Sequence, residues 1–294
     1  MALGEGDFRY ELVDGWAKYP EGWIPAQVSD AAVDSKGRIF IFTRGIHPII
    51  VFDPEGRFVT SWGYGDFGVS PHLISQSHGI FIGPDDEVYL TDSLQHIVRR
   101  YSLLGEMQRE WGKRGVAGVT YHRRQFNMPT GVAIGPDGSI FVSDGYANRC
   151  VHKYSKEGEH LLTWGEPGSG PGQFAVVHNI GCDREGRVLV CDRENDRIQV
   201  FDPDGAFIEQ WTDLTMPGDV WVTGDGMIYV VEQGGFGRAG VWTPEGECVS
   251  RFSGSAGGVL ESPHGLCVDA EGSIYVAEIG DGDRGQRVQK FARV

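Results

Sequence analysis

Six imperfect copies of one unit run along this chain, and nothing else in it narrows the fold so far. Four copies are plain: SHGIFIGPDDEVYLTD (77–92), PTGVAIGPDGSIFVSD (129–144), VHNIGCDREGRVLVCD (177–192) and PHGLCVDAEGSIYVAE (263–278). Two weaker copies, VSDAAVDSKGRIFIFT (28–43) and PGDVWVTGDGMIYVVE (217–232), complete the set. One matching slot holds Ser29, His78, Thr130, His178, Gly218 and His264, at spacings of 49, 52, 48, 40 and 46 residues. Those spacings lie in the range of propeller blades. Each copy has a short apolar run, a turn such as GPDG or DREG, and an alternating run such as SIFVSD, which together read as a β-hairpin. A third run (IIVFDPEG, IQVFDPDG) and a fourth (RFVTSWG, EHLLTWG) follow. Four strands in each of six copies predict an all-β, six-bladed propeller, one domain spanning residues 1–294. The sixth copy stops at VQKFARV with no fourth run, while RYELVDGWAKYP (9–20) resembles GRFVTSWGYG. The N-terminal strand is therefore expected to complete the last blade and close the ring.

Composition fits this reading and removes some functions. Glycine supplies 44 of 294 residues, about twice the usual ~7%, as many tight turns require. A formal charge of −15 argues against a surface that tracks nucleic-acid phosphates. No apolar stretch approaches the ~20 residues of a membrane-spanning helix. The start, MALGEGDFRYE, has neither a basic segment nor an apolar core, so no export signal is read there. Cys150, Cys182, Cys191, Cys248 and Cys267 are odd in number and form no CxxC pair. They are expected to be reduced and mostly buried in strands, in a cytoplasmic protein.

Histidine occupies the slot in the second, fourth and sixth copies only. In a closed ring of six, alternate units lie about 120° apart, so His78, His178 and His264 would converge on one point. Three imidazoles with an open fourth position make a catalytic zinc site. His47, His72, His96, His122, His152 and His160 lie outside the slot and are expected at the surface or in loops. Trp62, Trp111 and Trp164, in the WG pairs, are expected to pack on outer strands.

The WG endings and DRENDRIQVF (192–201) resemble NHL repeats. More narrowly, FTRGIHP (42–48), SHGIFI (77–82), MPTGVAI (128–134), FVSDGYANR (141–149), PGQFAVVHNI (171–180), CDRENDRIQVF (191–201) and SPHGLCVD (262–269) resemble, in order and spacing, the peptidyl-α-hydroxyglycine α-amidating lyases. Those enzymes split a C-terminal α-hydroxyglycine into an amide and glyoxylate. The resemblance implies zinc on His78, His178 and His264, a catalytic Tyr146, Arg44 beside that tyrosine, and Arg193 as a second active-site arginine. Gly265 stands where the family has an aspartate of a structural calcium site, which puts calcium in doubt. Asn127 with Ala147, and Leu189 with Val200, replace two pairs of family cysteines, as suits a reducing compartment.

The chemistry asks for such residues. A carbinolamide falls apart when its hydroxyl loses a proton and the amide nitrogen leaves. Zinc on neutral imidazoles lowers the pKa of a bound hydroxyl. A tyrosine, with a pKa near ~10, serves as base only beside a cation, here Arg44. Arg193 suits a substrate carboxylate. The expected partner is a small molecule or short peptide carrying a carboxylate. Arg44 and Arg193 could instead stitch blades to Asp92, Asp144, Asp192 or Glu232. Two other functions stay open: a metal-dependent lactonase or esterase, and a non-catalytic NHL binding module.

Overall fold

The six repeats become six antiparallel sheets in the computed structural model, which describes residues 2–23, 26–67, 76–119, 125–253, 259–280 and 286–294. Blade 1 runs Val28–Val33, Ile39–Thr43, Ile49–Phe52 and Phe58–Trp62, each strand pairing with the next in sequence. Blades 2 to 5 repeat that order. Their first strands are Ser77–Ile82, Gly131–Ile134, Val177–Cys182 and Pro217–Val222. The second and third strands of a blade are mostly buried, because each blade is sandwiched between two others. The fourth strand is largely exposed, as Phe58–Trp62 and Phe207–Trp211 illustrate. Among the described residues the only helical turn is a 3-10 turn, Arg193–Asn195.

Blade 6 is closed by the N-terminus. Phe8–Val13 pairs antiparallel with Gln286–Arg293, with Tyr10 opposite Arg293. The pairing strand ends at Val13, short of the expected run to residue 20. A fifth strand, Leu3–Glu5, adds itself outside it, from a glycine-rich stretch with no alternating pattern to announce it. Trp16, just beyond, wedges between Phe52 of blade 1 and Tyr275 of blade 6, with ring centroids 5.6 and 4.9 Å away. Closure thus combines a hydrogen-bonded strand with an aromatic pin between the first and last blades.

The tryptophans of the fourth strands do more than cover outer strands. Trp62, Trp111 and Trp164 lie under Gly105, Gly158 and Gly205, the turn glycines of the following blade. At Gly105 the backbone φ is +83°, and an added Cβ would come within 2.7 Å of the Trp62 ring. Glycine is needed there for both reasons. These contacts fasten blades 1 to 4 in succession.

Three other expectations meet the structure. Cys150, Cys191 and Cys267 are buried in strands, Cys182 is half-buried, Cys248 is exposed, and none is in a disulfide. His152 is fully buried on the third strand of blade 3, Cys150–Tyr154, and not at the surface or in a loop. Its polar atoms are all engaged inside the blade, which period and pattern alone do not reveal. His72, His122 and much of the loops Tyr64–Ser77 and Lys113–Arg124 lie outside the described residues.

Candidate metal centre

The slot residues sit at the starts of the innermost strands, and most are the extra residue of a β-bulge. Val177 pairs with Asp192 and Asn179 with Cys191, so His178 has no partner of its own across the hairpin. Ser29, Gly218 and His264 stand at the same interruption in their blades. A bulge re-aims its side chain, and here it turns the imidazoles to the axis. The ring centroids of His78, His178 and His264 are 4.8, 4.8 and 4.7 Å apart.

The intervening blades fix the tautomers. Nδ1 of His78 lies 2.7 Å from the Thr130 carbonyl, Nδ1 of His178 2.6 Å from that of Gly218, and Nδ1 of His264 2.6 Å from that of Ser29. Each histidine thus donates to the slot residue of the next blade round the ring. A carbonyl only accepts, so Nδ1 carries the proton and Nε2 presents its lone pair. Burial first of all pulls all three pKa values down, helped at His78 and His178 by neighbouring histidines and at His264 by the Arg44 and Arg193 guanidiniums, which bring His264 to about 3. The imidazoles are neutral, as metal ligands must be.

The donor set fits a zinc ion. One ligand atom from each histidine lies within 4.8 Å of the others. The Nε2 of His178 is buried with no hydrogen-bond partner among the described residues. An orphaned buried acceptor costs free energy, and a metal would satisfy it.

Tyr146 reaches this point from the turn after the second strand of blade 3. Asp144 braces the turn by accepting from the Asn127 backbone N–H (3.0 Å) and Asn148 Nδ2 (2.6 Å). The Tyr146 hydroxyl lies 3.0 Å from His78 Nε2, and since that nitrogen has only a lone pair, the phenol donates. Burial raises the phenol's pKa, while Arg193 first and Arg44 second pull it down.

The two arginines occupy one repeat position, the residue after the second strand. Their backbone N–H groups bond the carbonyl two residues before the slot, Arg44 to Gln27 and Arg193 to Val176. Arg44 donates to the Ser77 carbonyl (3.2 Å) and Gln27 Oε1 (2.9 Å), and among the described residues it pairs with no carboxylate. It is thus not paired with Asp92, Asp144, Asp192 or Glu232, although its bond to Ser77 crosses from blade 1 to blade 2. Arg193 lies over the Tyr146 ring, its Cζ 5.6 Å from the centroid, and its Nε and Nη2 are taken by Glu194 Oε1. Of the two, Arg193 acts more strongly on the phenol, and Arg44 is the cation without a carboxylate of its own. Sequence reasoning missed Gln233, at this same position in blade 5. Its Oε1 accepts from Arg193 Nη1 at 3.2 Å, and its Nε2 is buried without a partner among the described residues. The repeat alignment held that signal, since Gln233 follows VVE as Arg193 follows VCD.

One residue further along the repeat, Asp30 and Asp219 hydrogen-bond to each other in the channel. A Cβ on Gly265 would lie 2.1 Å from Asp30 Oδ1. Blade 6 therefore lacks a side chain where blade 1 sends its carboxyl.

Comparison with known proteins places the chain. The NHL repeat model matches residues 126–154. Human NHL repeat-containing protein 3 is 34% identical, over 96% of this chain and 84% of its own length. The chain belongs to that family. Within the wider NHL-repeat class, a Drosophila melanogaster peptidyl-alpha-hydroxyglycine alpha-amidating lyase 1 is 30% identical over 83% of this chain and 48% of its own. The lyase resemblance read from the motifs is thus met again across most of the NHL-repeat chain. A solved streptogramin B lyase structure superposes with a TM-score of 0.64 at 14% identity, covering 97% of each chain. At that identity it speaks for the fold alone.

Proposed function

We propose that this chain is a zinc-dependent carbon–nitrogen lyase that splits an α-hydroxyglycine-type carbinolamide into an amide and glyoxylate. The observation that carries the reading is the presentation of three neutral Nε2 lone pairs to one point with the Tyr146 hydroxyl 3.0 Å from one of them. The lyase-named relatives support it.

His78, His178 and His264 would hold the metal, whose chemistry is Lewis acidity toward the substrate hydroxyl. The next blades' carbonyls keep the imidazoles oriented, and binding would displace only the Tyr146 hydroxyl from the His78 lone pair. Tyr146 takes the hydroxyl proton as the C–O double bond forms, and the C–N electron pair leaves on the amide nitrogen. That nitrogen needs one proton, the same one the hydroxyl gave up, so a single shuttling phenol balances the reaction. Arg193, held by Glu194 and Gln233, keeps positive charge over the phenol ring and favours its ionised form. Arg44, with no carboxylate of its own, suits the substrate's carboxylate; on sequence alone the two arginines had the opposite assignment.

A lactonase or esterase of the kind that binds calcium through carboxylate and amide oxygens is less well served. The Asp30 and Asp219 oxygens already accept from the backbone N–H groups of Ala31, Ile80, Val220 and Leu266. Glyoxylate release from an N-acyl-α-hydroxyglycine, abolished by a chelator, tests the proposal. Turnover of lactones or aryl esters with none of hydroxyglycines would overturn it.

A further inference from the structure

In three blades the buried acid that ends the second strand faces a guanidinium directly across the hairpin. Asp192 stands opposite Arg197, Glu232 opposite Arg238 and Glu278 opposite Arg287. The N–O contacts are 2.9, 2.6 and 2.7 Å. Blade 2 places Ile97 opposite the buried Asp92, with Arg99 two residues on, and blade 3 breaks the pattern differently. Asp144 is fully buried too, but the residue opposite it is Cys150. Two residues on, where blades 4 and 6 place Gln199 and Gln289, stands His152. An arginine–glutamine pair has become a cysteine–histidine pair around the same buried carboxylate.

The geometry around that carboxylate is that of a coordination site. His152 Nε2 lies 3.2 Å from Asp144 Oδ2 and 3.5 Å from Cys150 Sγ, and the three atoms lie within 4.8 Å of one another. A tetrahedral zinc with bonds of ~2.0–2.1 Å to nitrogen and oxygen and ~2.3 Å to sulfur has ligand-to-ligand edges of roughly 3.3 and 3.5 Å. The outer contacts match as well. His152 Nδ1 is 2.8 Å from Thr163 Oγ1, and Asp144 also accepts from Asn148 Nδ2 and the Asn127 backbone. Ligating imidazoles and carboxylates are held by such secondary hydrogen bonds.

We propose that Asp144, Cys150 and His152 form a second metal site suited to zinc, separate from the histidine layer. There the ion supplies the positive charge that Arg197, Arg238 and Arg287 supply in their blades. Binding releases the thiol proton of Cys150 to solvent, while the single ring proton of the neutral His152 sits on Nδ1, donated to Thr163 Oγ1, and leaves Nε2 to face the ion. A thiolate, a carboxylate and a divalent cation sum to zero, which suits a buried cluster. The site braces the turn between Asp144 and Cys150, on which Tyr146 sits. A thiolate with imidazole and carboxylate selects zinc over magnesium or calcium.

Cobalt reports the thiolate directly. The purified full-length chain is stripped of metal and titrated with Co(II), and the thiolate-to-cobalt charge-transfer band in the near ultraviolet is followed. The band should saturate by two equivalents per chain in the wild type, which fills both sites, and by one in His178→Ala, which loses the ion of the histidine layer. It should be absent in Cys150→Ser. Should that variant fail to fold, His152→Gln reads the same loss with the residue that blades 4 and 6 already carry. The double variant Cys150→Arg, His152→Gln should fold without the ion, because it rebuilds the pair used elsewhere. No thiolate band in the wild type at any cobalt loading would overturn the proposal, as would a band that survives both substitutions.

Discussion

The histidine layer and the layer one residue further along the repeat descend from adjacent positions of the same six strands, yet they are built to opposite ends. In the first, alternate blades supply His78, His178 and His264, and the blades between supply only backbone carbonyls. Every Nδ1 proton has a fixed acceptor, and the Nε2 lone pairs are left facing one point. In the second, Asp30 and Asp219 meet around Gly265, and their oxygens are filled by backbone N–H groups, by Asn179 and by each other. Desolvation raises both carboxyls, Asp219 to about 7, and the charge of Asp219 pushes Asp30 up further. One layer keeps acceptors in reserve; the other consumes them. The contrast shows that a repeat position does not define a role. What matters is whether the neighbouring blade satisfies the side chain or leaves it open.

Breaking the open layer should have the largest effect. His178→Ala removes one of three ligands, and metal bound at the axis and glyoxylate release should both be lost while the far-ultraviolet circular dichroism of the propeller is unchanged. Full metal retention at that layer would contradict the assignment. Tyr146→Phe removes only a hydroxyl, so the metal should stay and kcat should fall by about 10²–10⁴-fold. Unchanged turnover would make the residue a packing group. Arg44→Lys should raise KM for a carboxylate substrate more than it lowers kcat, because an ammonium cannot reproduce the planar fork. Equal KM for the acid and its methyl ester in the wild type would remove Arg44 from the substrate.

The closed layer should affect stability and its pH dependence. A carboxyl with a raised folded-state pKa makes the native state bind more protons than the unfolded chain. Stability therefore falls as pH rises from the unfolded value near ~4 through the folded value of about 7. Asp219→Asn should flatten the melting-temperature profile across that window and leave metal content intact. An unchanged slope would show that the pair does not share a proton.

How much of this could be read in advance follows from what a repeat encodes. The period assigned the four strands of each repeat to a blade, and the alternate slots brought three histidines from distant segments to one axis. The missing fourth run at VQKFARV likewise called for the N-terminal strand. Direction was harder. The bulge that turns His178 inward, and the Gly218 carbonyl that fixes its tautomer, belong to the backbone of two blades and leave no mark in residue type. Asp30 and Asp219 meet because Gly265 between them has no side chain, a three-blade relation that no single copy shows. His152 looked like a loop residue because its match to Gln199 and Gln289 is visible only once strands 2 and 3 are paired. Arg193, which opens the 3-10 turn Arg193–Asn195, acts on Tyr146 more strongly than Arg44 does, with its Cζ 5.6 Å from the ring centroid. Strand Leu3–Glu5 is held by pairing to a neighbour rather than by any pattern of its own.

The central claim is that the three slot histidines hold one zinc ion on which carbon–nitrogen cleavage depends. Metal-stripped wild type and His178→Ala, each titrated with zinc and assayed for glyoxylate from an N-acyl-α-hydroxyglycine, test it most directly. Wild-type activity should start at zero and rise with added zinc to a plateau, while the variant stays inactive at every zinc concentration. Glyoxylate release that persists in the stripped wild type, or that zinc restores equally in the variant, would contradict the account.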